Sequence, residues 1–275
     1  MKGTLYIVST PIGNLEDISL RALRVLKSVD VIAVEDTRHS LKLLNHYGIS
    51  KPLISYWKEK EKIRSKMIIE RLISGQSVAL ISDAGTPGIA DPGTVLIKKA
   101  IDKNIPIVSV PGPNACIAAL SISGLPIEEF TFIGFLPSKK TQRQNALKAL
   151  SLDSRTLVFY EAPHRILATL TDMNEIFAGR AVVVVKEITK VHENILRGSI
   201  TEVLSSLQKT PIAGEYIIIV EGRRDKKRQI DEDILMEITV LMKKGTGRKE
   251  AVKKIAKEYG LSTKELYNRS IGKTP

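Results

Sequence analysis

Thirteen residues, Ile81 to Gly93, hold two aspartates (Asp83 and Asp91), three glycines and two prolines, and they leave an apolar run, Ser77 to Ile81, that reads as a buried strand. Turn formers this dense after a buried strand mark where α/β proteins build ligand sites. Glycine lets the backbone approach a ligand and present its N–H groups, and proline holds the loop in one shape. Asp83 adds a carboxylate where the strand ends. Such a loop recognises a polar molecule.

The same grammar occurs twice more. Thr4 to Thr10 runs into Pro11-Ile-Gly-Asn14, and Ile105 to Val110 runs into Pro111-Gly-Pro-Asn114. Each alone is an ordinary connector; three together suggest one cleft. None carries the Gly-Lys-Ser/Thr of a phosphate loop or the Gly-x-Gly-x-x-Gly dinucleotide fingerprint, which argues against nucleoside triphosphates and NAD. One cysteine, Cys116, excludes internal disulfides and a cysteine-based zinc site, and four scattered histidines offer no short ligand spacing, so no metal is expected.

The elements that must position these loops follow from periodicity. Strands 4–10, 30–34, 53–56, 77–82 and 105–110 alternate with helices about 19–28, 37–47, 59–74, 94–103 and 114–122, which predicts a doubly wound α/β domain over 1–125. Gly48 and Gly75 suit left-handed helix ends. A second α/β domain, 126–222, is expected from strands 130–134, 155–160, 181–186, 193–197 and 215–221 with helices 141–150, 164–177 and 200–208. No helix-length segment separates its third and fourth strands, so part of that sheet should be antiparallel.

At 275 residues, with 43% hydrophobic residues and a mean hydropathy of −0.01, the chain has material for ordinary cores. It lacks an apolar run of the ~20 residues a membrane helix needs, and it enters a strand with no basic-then-apolar signal, so no membrane partner and a cytoplasmic location are expected. The net charge of +12 is uneven: from Arg223 onward 15 Lys and Arg face 8 acids, an excess of seven. After the charged, apolar-free stretch 223–228, residues 229–275 read as helical. Ile234, Leu235, Ile238, Leu241 and Met242 share one face, and Ala251, Val252, Ile255 and Ala256 share another. Gly260 ends that helix, and Ser262 to Glu265 is a capping box opening a third. The spacing is that of a helix-turn-helix, and the basic excess points to nucleic acid, against the plainer reading of a solvated helical cap.

Six segments then carry a resemblance: Thr10 to Leu15, Val34 to Arg38, Ser82 to Gly93, Pro111 to Asn114, Tyr160 to Arg165 and Glu187 to Lys190. They resemble the signatures of the ribosomal RNA small subunit methyltransferase I family, within the tetrapyrrole methylase superfamily, and the resemblance spans the whole chain. It implies two α/β domains with S-adenosylmethionine held between them, a homodimer, and methylation of a cytidine 2′-hydroxyl in the decoding region of 16S ribosomal RNA, taken as small-subunit RNA or as the 30S subunit. It also implies cofactor contacts at Pro11, Ile12, Asp83, Ala84, Gly85, Thr86, Cys116 and Ile117 from the first domain. Phe159, Glu187, Gly214 and Glu215 should contribute from the second. In the places of the Gly-rich first loop and Gly-Asp-Pro of the small-molecule methylases, this chain has Thr10 to Gly13 and Ser82 to Ala84. Cys116 is equally a core thiol.

Methyl transfer from a sulfonium needs alignment and no acid for the leaving group, but a 2′-hydroxyl is a poor nucleophile and requires a proton acceptor or a charge that stabilises the developing alkoxide. Glu161, His164, Lys186 and Lys190 are the candidates, while Arg38 and Arg165 are placed to hold RNA phosphates. Glu161 could instead cap the helix begun at Pro163, with Arg165 paired to it. Lys249, Lys253, Lys264 and Arg269 are the expected RNA contacts of the helical segment. Two readings from other classes stand beside this one: a small-molecule methylase acting on a tetrapyrrole-like ring, and a helix-turn-helix regulator whose α/β body senses a ligand.

Overall fold

The computed structural model describes residues 1–223 and 230–271, which fall into two compact units divided in the chain between Gly222 and Arg223. Of the charged stretch 223–228, all but Arg223 lies outside the described residues.

The first part of the larger unit runs β1 (Leu5–Val8), α1 (Leu20–Ser28), β2 (Val31–Val34), α2 (Thr37–His46), β3 (Leu53–Ser55), α3 (Glu61–Ile73), β4 (Val78–Ile81), α4 (Thr94–Asp102), β5 (Ile107–Val110) and α5 (Ala115–Ser121). Its strands are parallel, in the order β3-β2-β4-β1-β5. β2 and β4 are buried at every residue, as strands covered on both faces must be. Ile68 and Leu72 of α3 with Leu96 and Ala100 of α4 fill one face, and Ala22 and Leu26 of α1 with Leu44 of α2 fill the other. Helix starts are fixed by side chains: Ser19 accepts the Ala22 N–H, Asp36 the Arg38 N–H and Asn114 the Ile117 N–H. Gly48 and Gly75, at φ +63° and +97°, follow α2 and α3 as expected. Because all five strands point the same way, the loops after β1, β4 and β5 emerge at one edge of the sheet.

The second sheet comprises β6 (Phe130–Phe135), β7 (Thr156–Glu161), β8 (Ala181–Lys186), β9 (Asn194–Ser199) and β10 (Tyr216–Val220), in the order β6-β7-β10-β8-β9. β6 and β7 are parallel and every other pairing is antiparallel; the short link from β8 to β9 leaves no room for a crossover. α6 (Lys140–Ala149), α7 (Ile166–Ile176) and α8 (Ile200–Leu207) cover one face through Leu147, Leu170 and Val203. The other face receives α5: Cys116, Ala119 and Leu120 pack on Val158, Val183 and Ile219. That shared helix makes residues 1–222 one body.

α6 is tied to α7 by a buried ion pair, Arg143 Nε to Asp172 Oδ2 at 2.6 Å, with side chains only 6% and 2% exposed; Gln144 donates to the other carboxylate oxygen at 2.9 Å. Removing one partner strands the other charge out of water, so Asp172→Ala is expected to cost about 3–5 kcal/mol, measured as a fall in the chemical-denaturation midpoint. A loss under about 1 kcal/mol would mean that the pair is solvated.

The smaller unit is α9 (Glu232–Lys243), α10 (Arg248–Tyr259) and α11 (Thr263–Ile271) around Ile234, Ile238, Val252, Ile255 and Leu266. Asp231 caps α9, Gly260 closes α10 at φ +63°, and Ser262 Oγ accepts the Glu265 N–H. Lys249, Lys253, Lys264 and Arg269 are exposed. Arg269 donates to the Ile230 carbonyl and lies 3.7 Å from Glu265. Among the described residues no helix is long and apolar enough to cross a membrane, and no cluster of three His, Cys, Asp or Glu could hold a metal ion.

Candidate active site

The loop after β1 and the loop after β4 are joined before they reach the cleft. Thr10 and Gly85 exchange both backbone hydrogen bonds, at 2.9 and 3.1 Å, and the Ser9 and Thr86 hydroxyls lie 2.8 Å apart. Gly85 can do this because it sits at φ +77°. From the second sheet, the β8–β9 turn meets the first loop: Thr189 Oγ1 accepts the Asn14 N–H at 3.2 Å. Glu187 and Thr189 hold φ of +53° and +66° in that turn, strain that non-glycine residues keep only where their surroundings enforce it. Here the enforcement is visible. Lys190 Nζ donates to Glu187 Oε1 at 2.8 Å and Glu215 Oε2 at 3.0 Å, and Glu187 Oε1 also accepts the Glu215 N–H at 2.9 Å. Burial alone would move both charges toward neutrality, but these bonds outweigh it, holding the Glu187 carboxyl below and the Lys190 ammonium above its ordinary range.

Between the loops lies a cavity of about 330 Å³, within the range of small-molecule sites. Of the residues expected to touch a cofactor, Ile12, Ala84, Gly85, Thr86 and Glu215 line it. Ile188 and Ile217 complete an apolar slot, Asp91 and Glu215 bring carboxylates to its wall, and Glu161, one of the expected proton acceptors, is a third acidic lining residue. Burial first, then the nearby Asp83 and Glu215, push the Asp91 carboxyl up, against a hydrogen bond from Ser82. Glu35 is raised to about 7 by burial and by Asp91 and Asp83. Such a chamber suits a molecule with a flat apolar part and a positive charge.

Other expected contacts lie elsewhere. Phe159 is fully buried among the helices on the far face of its strand, while its neighbour Tyr160 lines the cavity, because successive strand residues point opposite ways. Cys116 is core, its thiol pushed up to about 11 by burial, so the plainer reading of it describes its place; its N–H donates to the Tyr160 hydroxyl at 3.1 Å. Pro11 is buried behind the wall and Ile117 is 53% exposed; neither lines the cavity. Asp83 accepts the Asp36 N–H at 3.1 Å and so pins the loop after β2 to the loop after β4. Glu187 and Gly214 act from behind Glu215. Gly214 is at φ +83°, and a Cβ there would stand 2.5 Å from Glu187 Cγ. Gly214→Val is therefore expected to displace Glu187 and Glu215 and weaken S-adenosylmethionine binding at least about tenfold while the protein stays folded; calorimetry that finds unchanged affinity would remove Glu215 from the site.

The candidate proton acceptors also separate. The Glu161 side chain has no exposed surface: it accepts from Thr169 Oγ1 at 2.6 Å and its neighbour's Ala162 N–H at 2.9 Å, with Arg165 Nε 3.3 Å away. It holds Thr169 of α7 and pairs with Arg165, as the alternative expected of the arginine, but it caps no helix: the turn from Pro163 and α7 both begin without a side-chain cap. Arg165 in turn donates to the Leu136 and Pro137 carbonyls at 2.7 and 3.2 Å, so its fork is engaged within the protein. His164 is exposed and does not line the cavity, and Lys186 donates to the Pro211 carbonyl at 3.2 Å. Arg38, its side chain 89% exposed, pairs with Asp36 at 2.8 Å, which holds the Asp36 carboxyl down at about 2. The carboxylate inside the cavity that sequence reasoning passed over is Asp91. It stands in the same dense loop, and its signal was the loop itself.

Comparison with known proteins places these features. The profile of the tetrapyrrole (corrin/porphyrin) methylases matches residues 4–204. The chain is similar to a protein of Halalkalibacterium halodurans named ribosomal RNA small subunit methyltransferase I, 44% identical over 97% of this chain and 94% of that one. A Xylella fastidiosa protein of the same name is 46% identical over 96% and 98%. Among solved structures, uroporphyrin-III C-methyltransferase of Thermus thermophilus complexed with S-adenosylhomocysteine shares the fold, with a TM-score of 0.56 at 18% identity over 80% of this chain and 97% of that one.

Proposed function

Since this chain belongs to the tetrapyrrole (corrin/porphyrin) methylase family, we propose that it transfers a methyl group from S-adenosylmethionine to the ribose 2′-oxygen of a cytidine in the decoding region of 16S ribosomal RNA, acting as a cytoplasmic homodimer. The observation that carries the reading is the pairing of two parts in one chain. One is a cavity with an apolar slot and three acidic residues on its lining, Asp91, Glu161 and Glu215; the other is a separate helical unit with exposed lysines.

The residues present suit that cofactor. Ile12, Ile188 and Ile217 would offer an apolar slot to the adenine, the 84–86 backbone would offer polar groups, and Glu215 would face a positive charge. When bound, S-adenosylmethionine supplies a methyl group on a sulfonium, a leaving group that needs no acid. Lys190 keeps Glu215 in place, and Asp91 takes the proton of the attacking hydroxyl. A carboxylate pushed toward neutrality by burial is a stronger base than an ordinary one. The helical unit supplies sequence-independent attraction to RNA phosphates through Lys249, Lys253 and Lys264, with Arg38 as an exposed cation of the larger unit.

A tetrapyrrole methylase would use the same cavity and leave the basic helices without a role; a regulator would bind DNA and transfer nothing. Incubation with methyl-labelled S-adenosylmethionine and, in turn, 30S subunits, a uroporphyrinogen-type ring and duplex DNA separates the three. Label is expected in RNA alone, and label in the ring alone would overturn the reading.

A further inference from the structure

β6 does not run straight. Phe132 pairs with Val158, but Gly134 pairs with Phe159 and Phe135 with Tyr160, so Ile133 is an extra residue bulged out of the ladder. Gly134 takes φ +72° to permit it. In a regular strand residues 132 and 135 would face opposite sides; the bulge puts both on the cavity side. There the Tyr160 ring meets Phe132 at 4.9 Å and Phe135 at 5.7 Å, both edge-on. Ile133 is turned to the other face, into the core with the helices.

The ring so placed is held firmly and left open. Arg165, backed by the buried Glu161, binds the carbonyls of the next two residues, Leu136 and Pro137. Tyr160 is anchored through its hydroxyl to the Cys116 N–H. Yet Phe135 is 57% exposed while lining the cavity, and Ile89 from the loop after β4, also a lining residue, is 55% exposed. The inner wall residues Ile12, Ile188 and Ile217 are buried. Phe135 and Ile89 therefore form the rim, one from each half of the larger unit.

We infer that Phe135 is the stacking platform for the nucleobase of the methylated nucleotide, an inference that rests on the RNA reading above. A nucleotide that leaves the stack of its neighbours can bring its 2′-oxygen deeper toward a recessed methyl group than one held in the stack. An aromatic face at the mouth replaces the stacking given up, and it tolerates any base because every base has a π face. The rim, rather than the closed slot, is what the incoming nucleotide meets, so the cofactor is not the partner of this ring.

The test compares Phe135→Ala, Phe135→Leu and Phe135→Trp in the full chain. S-adenosylmethionine affinity by calorimetry should stay within about twofold of the parent in all three. The KM for 30S subunits should rise about tenfold in the Ala and Leu variants, with a smaller change in kcat, and return near the parent value in Trp. Loss of cofactor affinity with an unchanged KM would make Phe135 part of the cofactor wall and overturn the inference. Rescue by Leu as complete as by Trp would reduce it to plain apolar contact, and a shift in sedimentation with unchanged kinetics would make it a contact between copies; both overturn it. Unfolding midpoints guard against a fold defect in the Ala variant, and the Leu–Trp comparison still decides if Ala is unstable. A parent protein that leaves 30S subunits unmethylated would defeat the RNA reading itself, an outcome distinct from an active parent whose variants are unaffected.

Discussion

A chain ending at Gly222 is expected to bind S-adenosylmethionine as tightly as the full-length protein and to lose methyl transfer to small-subunit ribosomal RNA. The larger unit has its own cores on both faces of both sheets, and every residue lining the cavity belongs to it. The smaller unit has its own core around Ile234, Val252 and Leu266, so the cut separates two bodies rather than opening one. What the cut removes is an excess of seven positive charges over the last 53 residues. Each phosphate that is no longer neutralised should flatten the dependence of log affinity on log salt by roughly 0.7 to 0.9. The shortened chain should thus show weaker RNA binding and a shallower salt slope, read by filter binding over a salt series. Replacing Lys249, Lys253 and Lys264 by Glu should reproduce part of the effect with the helices intact. Equal activity and equal slope for the two lengths would make the helices a solvated cap.

The second large effect concerns Asp91. Asp91→Asn keeps the size of the side chain and removes its capacity to accept a proton, so kcat is expected to fall by about 10²–10⁴ with cofactor affinity changed less than about tenfold. The pH dependence adds a signature that a structural role would not move. The base works ionised, so activity rises with pH, and burial puts the acid limb of the parent profile above the ordinary carboxylate range; the Asn variant should lose that limb. Glu161→Gln should instead lower the unfolding midpoint, because Glu161 has no exposed surface and holds Thr169 and Arg165. If Glu161→Gln abolished the limb and Asp91→Asn kept it, the two assignments would have to be exchanged.

The three glycine- and proline-rich loops were legible because turn chemistry is local, and so were the strands, whose apolar runs end in the same turn formers. The helical unit was equally open, since a 3.6-residue period over Ile234 to Met242 and Ala251 to Ala256 needs no partner to be seen. What was not legible is which way side chains face in strands covered on both sides. Thr156 to Glu161 is buried or nearly so throughout, so no alternation distinguishes Phe159 from Tyr160, and only the structure shows that it is the Tyr160 ring that lines the cavity. The bulge at Ile133 escaped for a related reason: Phe-Thr-Phe-Ile-Gly-Phe reads as an ordinary strand with one glycine, and only pairing with β7 shows the extra residue. Glu161, Arg165 and Asp83 lie in the right motifs, but their partners are set by tertiary contact. Polar residues near a site serve its architecture as often as its chemistry, and here Asp83 pins Asp36 while Arg165 braces the strand that carries Phe135.

The central claim is that the acceptor is a ribose 2′-oxygen of one cytidine. Its most direct test is to react the full-length protein with methyl-labelled S-adenosylmethionine and 30S subunits, cleave the RNA with alkali, and weigh the fragments. A methyl on a 2′-oxygen removes the nucleophile that alkali requires, so a single cytidine in the decoding region should resist cleavage and carry the label on its sugar. Label on a base, or RNA that is cleaved at every position, would contradict the assignment.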